Sequence, residues 1–225
     1  MQGSDPDVLF SAIQAGDQAL VKELVGDHPA LARTRNEQGI SAILVALYYN
    51  QPEIARFLGK YDKPLDIFEA ASLGDTRQAE ILLAEDPDLA NALNFDGFQP
   101  LGLAAFFGHN AMAQLLLERG AQVNSRSQNA LGAAPLHSAL AVHNNTLVKV
   151  FLEHGADVNL AESGGYTPLH IAAQNGDVEA LKLLMDHHPD SNPRLEADGL
   201  TPLGTAVKYG NELAAVFLRQ HGCIE

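Results

Sequence analysis

The sequence predicts an all-α protein built by stacking like helical hairpins. Three observations carry that expectation. Pro100, Pro135, Pro168 and Pro202 lie 35, 33 and 34 residues apart, and each is followed by leucine (Leu101, Leu136, Leu169, Leu203). A fixed period of this size marks a repeat array, in which each unit buries its apolar face only against its neighbours. The run from Gly165 to Gly176 spells the start and stop of one short helix. Thr167 suits an N-cap whose hydroxyl accepts a first-turn N–H, Pro168 suits N1, and Gly176 can take the left-handed conformation that ends a helix. Leu169, Ala172 and Ala173 form a narrow apolar stripe that lets a neighbouring helix come close. Val178 to Met185 then supplies the second helix. Lastly, 225 residues with 46% hydrophobic content suffice for one elongated core.

Thr-Pro-Leu-His, Ala-Ala and a glycine, followed by Leu-Leu-x-x-Gly-Ala-x-Val-Asn, are carried most fully by Thr167–Gly176 and Leu116–Asn124. Here the chain resembles the ankyrin repeat family, and the resemblance extends over almost all of it. It implies a solenoid of about seven helix-turn-helix units with short β-turn fingers, forming one domain over residues 1–225. The repeats fall at about 5–35, 36–61, 62–93, 94–126, 127–161, 162–195 and 196–225. Exits through Pro-x-Leu (Pro29-Ala30-Leu31, Pro87-Asp88-Leu89) look bacterial in type.

In chain order, repeat 1 opens at Asp5-Pro6, with helices near Val8–Ala15 and Ala19–Val25. Repeat 2 enters through Asn36-Glu37-Gln38-Gly39, whose glycine suits a turn tip. Its helices lie near Ala42–Tyr49 and Pro52–Leu58. The period then breaks. Positions equivalent to the proline run 8, 42, 66 and 100, so one step is about ten residues short. Gly59–Pro64 is too brief for a finger, and a notch in the finger row is expected there. Repeat 3 has helices near Leu65–Leu73 and Thr76–Ala84. Repeat 4 has them near Pro100–Phe107 and Ala111–Glu118, repeat 5 near Pro135–Val142 and Thr146–Glu153 after a finger one residue longer. Repeat 7 ends with Glu212–Gln220, where Arg219 replaces an apolar position, as in an end cap, while Val216 and Phe217 leave that cap incomplete.

Charge narrows the function. Twenty-eight acidic residues against 14 basic give a formal net charge of −14, which disfavours phosphate backbones and favours a partner with a basic surface. No apolar run approaches the roughly 18 residues that span a bilayer, so no membrane partner is expected. Cys223 is the only cysteine. With no intrachain disulfide possible, a cytoplasmic location is the default, or an exported one if a leader preceded Met1. No catalytic constellation, metal site or cofactor is expected. His137 and His170 fill the histidine of Thr-Pro-Leu-His, which in the family braces a turn. His187-His188 is an adjacent pair whose side chains would diverge on a helix. Gly-x-Ser-x-Gly, phosphate loops and zinc spacings are absent from the sequence.

The resemblance further implies a concave face made of finger tips and first helices. Its variable positions include Tyr48, Tyr49, Leu73, Phe106, Phe107, Val142 and Tyr209 on the helices, and Phe95, Phe98 and Tyr166 on the fingers. Each aromatic can bury roughly 150–250 Å², so several together exceed what a monomer ordinarily exposes. These ten residues are the expected protein-binding centre of a monomeric, non-enzymatic scaffold, adaptor or stoichiometric inhibitor. The alternative is a peptide or small-molecule binder using the notch near Lys60–Pro64, lined by Tyr49 and Tyr61. A homodimer joined through the C-terminal helix is the other expectation kept open.

Overall fold

A computed structural model describes residues 5–61 and 63–225. Among these residues fourteen α-helices follow in pairs: α1 (Asp5–Ala15) with α2 (Gln18–Asp27), α3 (Ala42–Tyr48) with α4 (Pro52–Tyr61), and α5 (Ile67–Leu73) with α6 (Thr76–Glu85). Then come α7 (Pro100–Phe106) with α8 (Asn110–Glu118), and α9 (Pro135–Ala141) with α10 (Asn145–Glu153). The last are α11 (Pro168–Asn175) with α12 (Val178–Met185), and α13 (Pro202–Lys208) with α14 (Glu212–Gln220). Odd-numbered helices pack on one another in chain order and form the inner row, with their even-numbered partners behind them. No strand occurs among the described residues, only an isolated bridge between Arg35 and Ser41.

Short polar residues start the outer helices. Asp17, Asp75, Asn144 and Asp177 each accept a backbone N–H three residues on, which satisfies one of the orphan donors of a first turn. One buried cluster runs from Leu9 to Cys223, and Phe151, Leu9, Ile13, Met112 and Leu116 are among its largest sealed side chains.

A row of asparagines links successive exits. Asn91 Oδ1 accepts the N–H of Gln122 at 2.8 Å, and Asn124 that of Asp157 at 2.8 Å. Asn159 accepts from Asp190 at 2.7 Å and Asn192 from Ile224 at 2.8 Å. Each bond ties a loop that no helix or strand would satisfy. At the earlier junction Arg33 donates instead to the carbonyl of Lys63.

Fingers form where asparagine folds back on its own chain. Asn36 Oδ1 accepts from Gln38 and Ile40, and Asn94 Oδ1 from Asp96 and Phe98. The later fingers are joined edge to edge: Gln128 N–H donates to Gly97 O at 2.7 Å, Ser163 N–H to Leu131 O at 2.9 Å, and Glu196 N–H to Gly164 O at 3.0 Å. Gly97 permits this approach, because a Cβ there would sit 2.7 Å from the Gln128 carbonyl.

Several boundaries differ from expectation, each for a local reason. Helix α1 already includes Asp5, and α4 continues to Tyr61 rather than stopping at Leu58. Helix α5 begins at Ile67, because Asp66 caps it instead of occupying the proline position. Asp66 accepts the N–H groups of Phe68 and Glu69 while Glu69 accepts that of Asp66, a reciprocal cap. The Thr167 hydroxyl does not cap α11. It lies 2.9 Å from His170 Nδ1, which also accepts the Thr167 N–H; Thr201 plays the expected part, accepting from Gly204 N–H.

The missing finger is confirmed in form, since only residues 63–66 separate α4 from α5 among those described. The notch is partly filled. Phe95, from the following finger, lies flat over Gly39, where an added Cβ would meet its ring at 2.9 Å.

Candidate functional site

The finger row and the inner helices enclose a groove of about 930 Å³. Its floor is Leu103 and Phe106 of α7, Ala141 of α9 and Ile171 of α11, with Phe98 and Tyr166 entering from the fingers. The opposite, finger-side wall is mixed: Asp96, Asn129 and Glu162 stand among Ala130, Leu131 and Ala133. A smaller hollow of about 430 Å³ lies at the C-terminal ends of the inner helices, lined by Tyr48, Phe106, Phe107 and Val142 among others. Tyr48 and Phe106 border both spaces.

Small residues at the second Ala-Ala position let the inner helices pack closely, so the bulkier residues that follow must project. Phe106 is 46% exposed and Tyr48 37%. Phe106 meets Phe107 edge-on at 5.2 Å between ring centroids. Tyr48 stacks toward Phe107 at 6.2 Å, passing over α5, whose corresponding residue is the small, buried Ser72. The Tyr48 hydroxyl donates to Asp96 Oδ2 at 3.0 Å. Burial, and secondarily the Asp96 charge, push its phenol well above the ordinary tyrosine range.

Of the ten expected residues, Tyr48, Phe98, Phe106 and Tyr166 line the main groove, while Phe107 and Val142 line the adjoining hollow. Phe95 lines the junction cavity over the missing finger. Three lie elsewhere. Leu73 turns its Cδ1 toward Gly59 of α4, so a Cβ added there would meet it at 2.9 Å. Tyr49, the C-cap of α3, and Tyr209, beside Lys208 on the last pair, are exposed but border none of these three spaces. The notch pocket was expected around Tyr49 and Tyr61. The cavity at that junction, about 240 Å³, is instead lined by Arg35, Asp66, Phe68, Phe95 and their neighbours. Tyr61 packs on Phe57 at 5.1 Å.

Groove residues not anticipated include several polar ones. Glu162 lies in the wall, where burial pushes its carboxyl up against a weaker downward pull from Arg126. His137 borders the groove from beneath. Its Nδ1 accepts the Ala134 N–H at 3.1 Å and Nε2 faces Leu160 O at 2.8 Å, so the proton is assigned to Nε2. Burial lowers its pKa to about 4, leaving it neutral at pH 7. His170 repeats the geometry against Leu200 O. Groups of histidine, cysteine and carboxylate that could hold a metal ion are absent among the described residues. No described helix is long and apolar enough to cross a membrane.

The family model for ankyrin repeats matches residues 67–162 and 136–224, together more than half of the chain. An ankyrin repeat protein of fowlpox virus is 37% identical over 120 residues, covering 52% of this chain and 35% of the viral protein. Rabankyrin-5 of Homo sapiens is 30% identical over 154 residues, covering 52% of this chain and 13% of its own length. The E3 ubiquitin-protein ligase XBAT33 of Arabidopsis thaliana is 38% identical over 121 residues, covering 53% and 23%. The chain thus spans about a third or less of the relatives it matches. Repeats of this kind generally bind protein partners and are not themselves enzymatic. Matched motifs, histidine-braced turns and paired helices agree: the chain belongs to the ankyrin repeat family.

Proposed function

We propose that this chain is a non-enzymatic protein-binding module that holds its partner in the groove between fingers and inner helices. One observation carries the reading: Tyr48, Phe98, Phe106 and Tyr166 converge on a single groove of about 930 Å³ whose finger wall is already tied edge to edge. Partly exposed aromatics on a rigid frame are what interface centres use, because they bury large area at little entropic cost. On this reading the seven helix pairs are seven repeats of one domain, acting as scaffold, adaptor or stoichiometric inhibitor from the cytoplasm. The partner presents a basic surface, in keeping with the net charge of −14. The relatives come from a virus, a human and a plant, which lends the bacterial-type exits no support.

The test is affinity capture from native extract with the full chain, Phe106→Ala and Tyr209→Ala, after thermal unfolding shows all three folded alike. Proteins retained by the parent and by Tyr209→Ala but lost by Phe106→Ala support the groove. Equal retention by Phe106→Ala removes it from the site.

A further inference from the structure

The groove's charge is one-sided. Asp96 and Glu162 lie in its wall, and among the described residues no lysine or arginine lines it. Among the described residues Glu162 accepts no side-chain hydrogen bond, and the Asp96 carboxylate accepts only the Tyr48 hydroxyl. Arg126 pulls on the Glu162 charge without bonding to it; its Nε donates to Gly132 O at 2.9 Å. Half-buried carboxylates with few donors are costly beside apolar surface, and a cation brought by a ligand offsets that cost.

The wall also limits how a ligand can be held. Carbonyls of Gly97, Leu131 and Gly164 already accept from the neighbouring fingers, so a chain bound in the groove finds these backbone groups engaged and does not insert between the fingers. Recognition falls to side chains. Gln174, whose amide makes no hydrogen bond among the described residues, lines the groove and is placed to meet a peptide group. A volume of about 930 Å³ exceeds what one side chain fills and lies near the upper end of compact ligand sites.

From this geometry we infer that the groove takes an extended peptide segment carrying a lysine or arginine flanked by apolar residues. The cationic head sits at one of the two carboxylates, Glu162 or Asp96, which stand on fingers either side of the one at residues 127–133, and its aliphatic stem lies along the apolar floor. Long basic side chains divide in this way between apolar surface and polar tip, and aromatic faces add attraction for the cation. The inference rests on the groove being the binding face and names what that face selects.

The experiment is selection of a displayed random-peptide library on the immobilised full chain, with Asp96→Asn/Glu162→Gln and Phe106→Ala run in parallel. Circular dichroism melts first establish that each variant is folded. The expected result is enrichment of sequences with one lysine or arginine among apolar residues. The best such peptide, remade synthetically, should bind Asp96→Asn/Glu162→Gln about tenfold more weakly, the size of a charge-assisted contact. Its lysine-to-norleucine version should bind both chains alike. Enriched peptides without a cation, or binding unchanged by Asp96→Asn/Glu162→Gln, overturn the inference. If Phe106→Ala abolishes selection in that case, the groove survives as the binding face and only its preference is wrong. Selection unchanged in Phe106→Ala, or no enrichment over bare support, overturns both.

Discussion

His137 offers a perturbation whose magnitude follows directly from the structure. The ring is 2% exposed, with both nitrogens engaged by backbone. Desolvation lowers its pKa from 6.5 to about 4, outweighing its backbone hydrogen bonds, while Arg126 contributes further lowering. The unfolded chain therefore binds a proton more readily than the folded one. Stability from this group is fully present above about pH 6.5 and is lost as pH falls toward about 4. Between pH 7 and pH 5 the loss is about 2 kcal/mol by linkage. His137→Gln removes the titration while keeping a side chain that can still reach the turn. The variant should be less stable than the parent at pH 7, by about 1–3 kcal/mol for impaired buried bonds. At pH 5 that gap should shrink by about 2 kcal/mol, because only the parent pays to keep its imidazole neutral. Urea unfolding followed by circular dichroism at both pH values measures the gap. His170, also lowered by burial, titrates in both chains and cancels. A gap of the same size at pH 5 and pH 7 refutes the reasoning.

Three other outcomes are expected. Tyr48→Phe removes one hydrogen bond to Asp96 and keeps the ring, so it should cost about 1 kcal/mol in the same urea assay. Gly39→Ala combines φ +78° with a Cβ placed 2.9 Å from Phe95; it should cost about 1–3 kcal/mol, and Phe95→Ala should relieve the steric part. Asn124→Ala breaks two bonds to the next exit, to Gly155 O and from Asp157 N–H. Hydrogen exchange should show faster opening of residues 155–159, while exits distant in the row keep their protection.

Much of the fold was legible because its signals are local. A proline followed by leucine at a steady interval, a glycine eight residues on and an aspartate or asparagine before the next helix determine starts and stops without reference to the rest of the chain. Where two local signals competed, position alone could not decide. Asp66 could serve as N1 or N-cap, and the reciprocal bond with Glu69 selects the cap. The site was less legible, since its contacts lie between repeats. Sequence placed Phe95 beside a finger but could not say that a vacant neighbour lets it reach Gly39. It placed Leu73 among the projecting residues, although the short junction turns it toward α4. Glu162 could have been found by noting that it immediately precedes a finger turn facing the aromatic positions; the general excess of carboxylates hid it.

The missing finger bears on how the groove should be dissected. In a stacked array stability is close to a sum of nearest-neighbour terms, so omitting one finger removes contacts at a single junction. Tyr48 and Phe95 restore some by spanning that junction to the next repeat, and Arg35 pairs with Asp66 at 2.8 Å and Glu69 at 3.6 Å from the other side. Residues with those structural duties cannot be truncated to alanine and read for binding alone. Phe106 differs: it is nearly half exposed, makes its ring contact within its own helix end, and is bonded to nothing across the gap. Loss of capture in Phe106→Ala therefore reports on the groove, whereas loss in Tyr48→Ala reports on the junction and the groove together. If Tyr48→Ala unfolds at the same denaturant concentration as the parent, the clasp assigned to Tyr48 contributes nothing, and the wall of the groove is held by the finger-to-finger bonds alone.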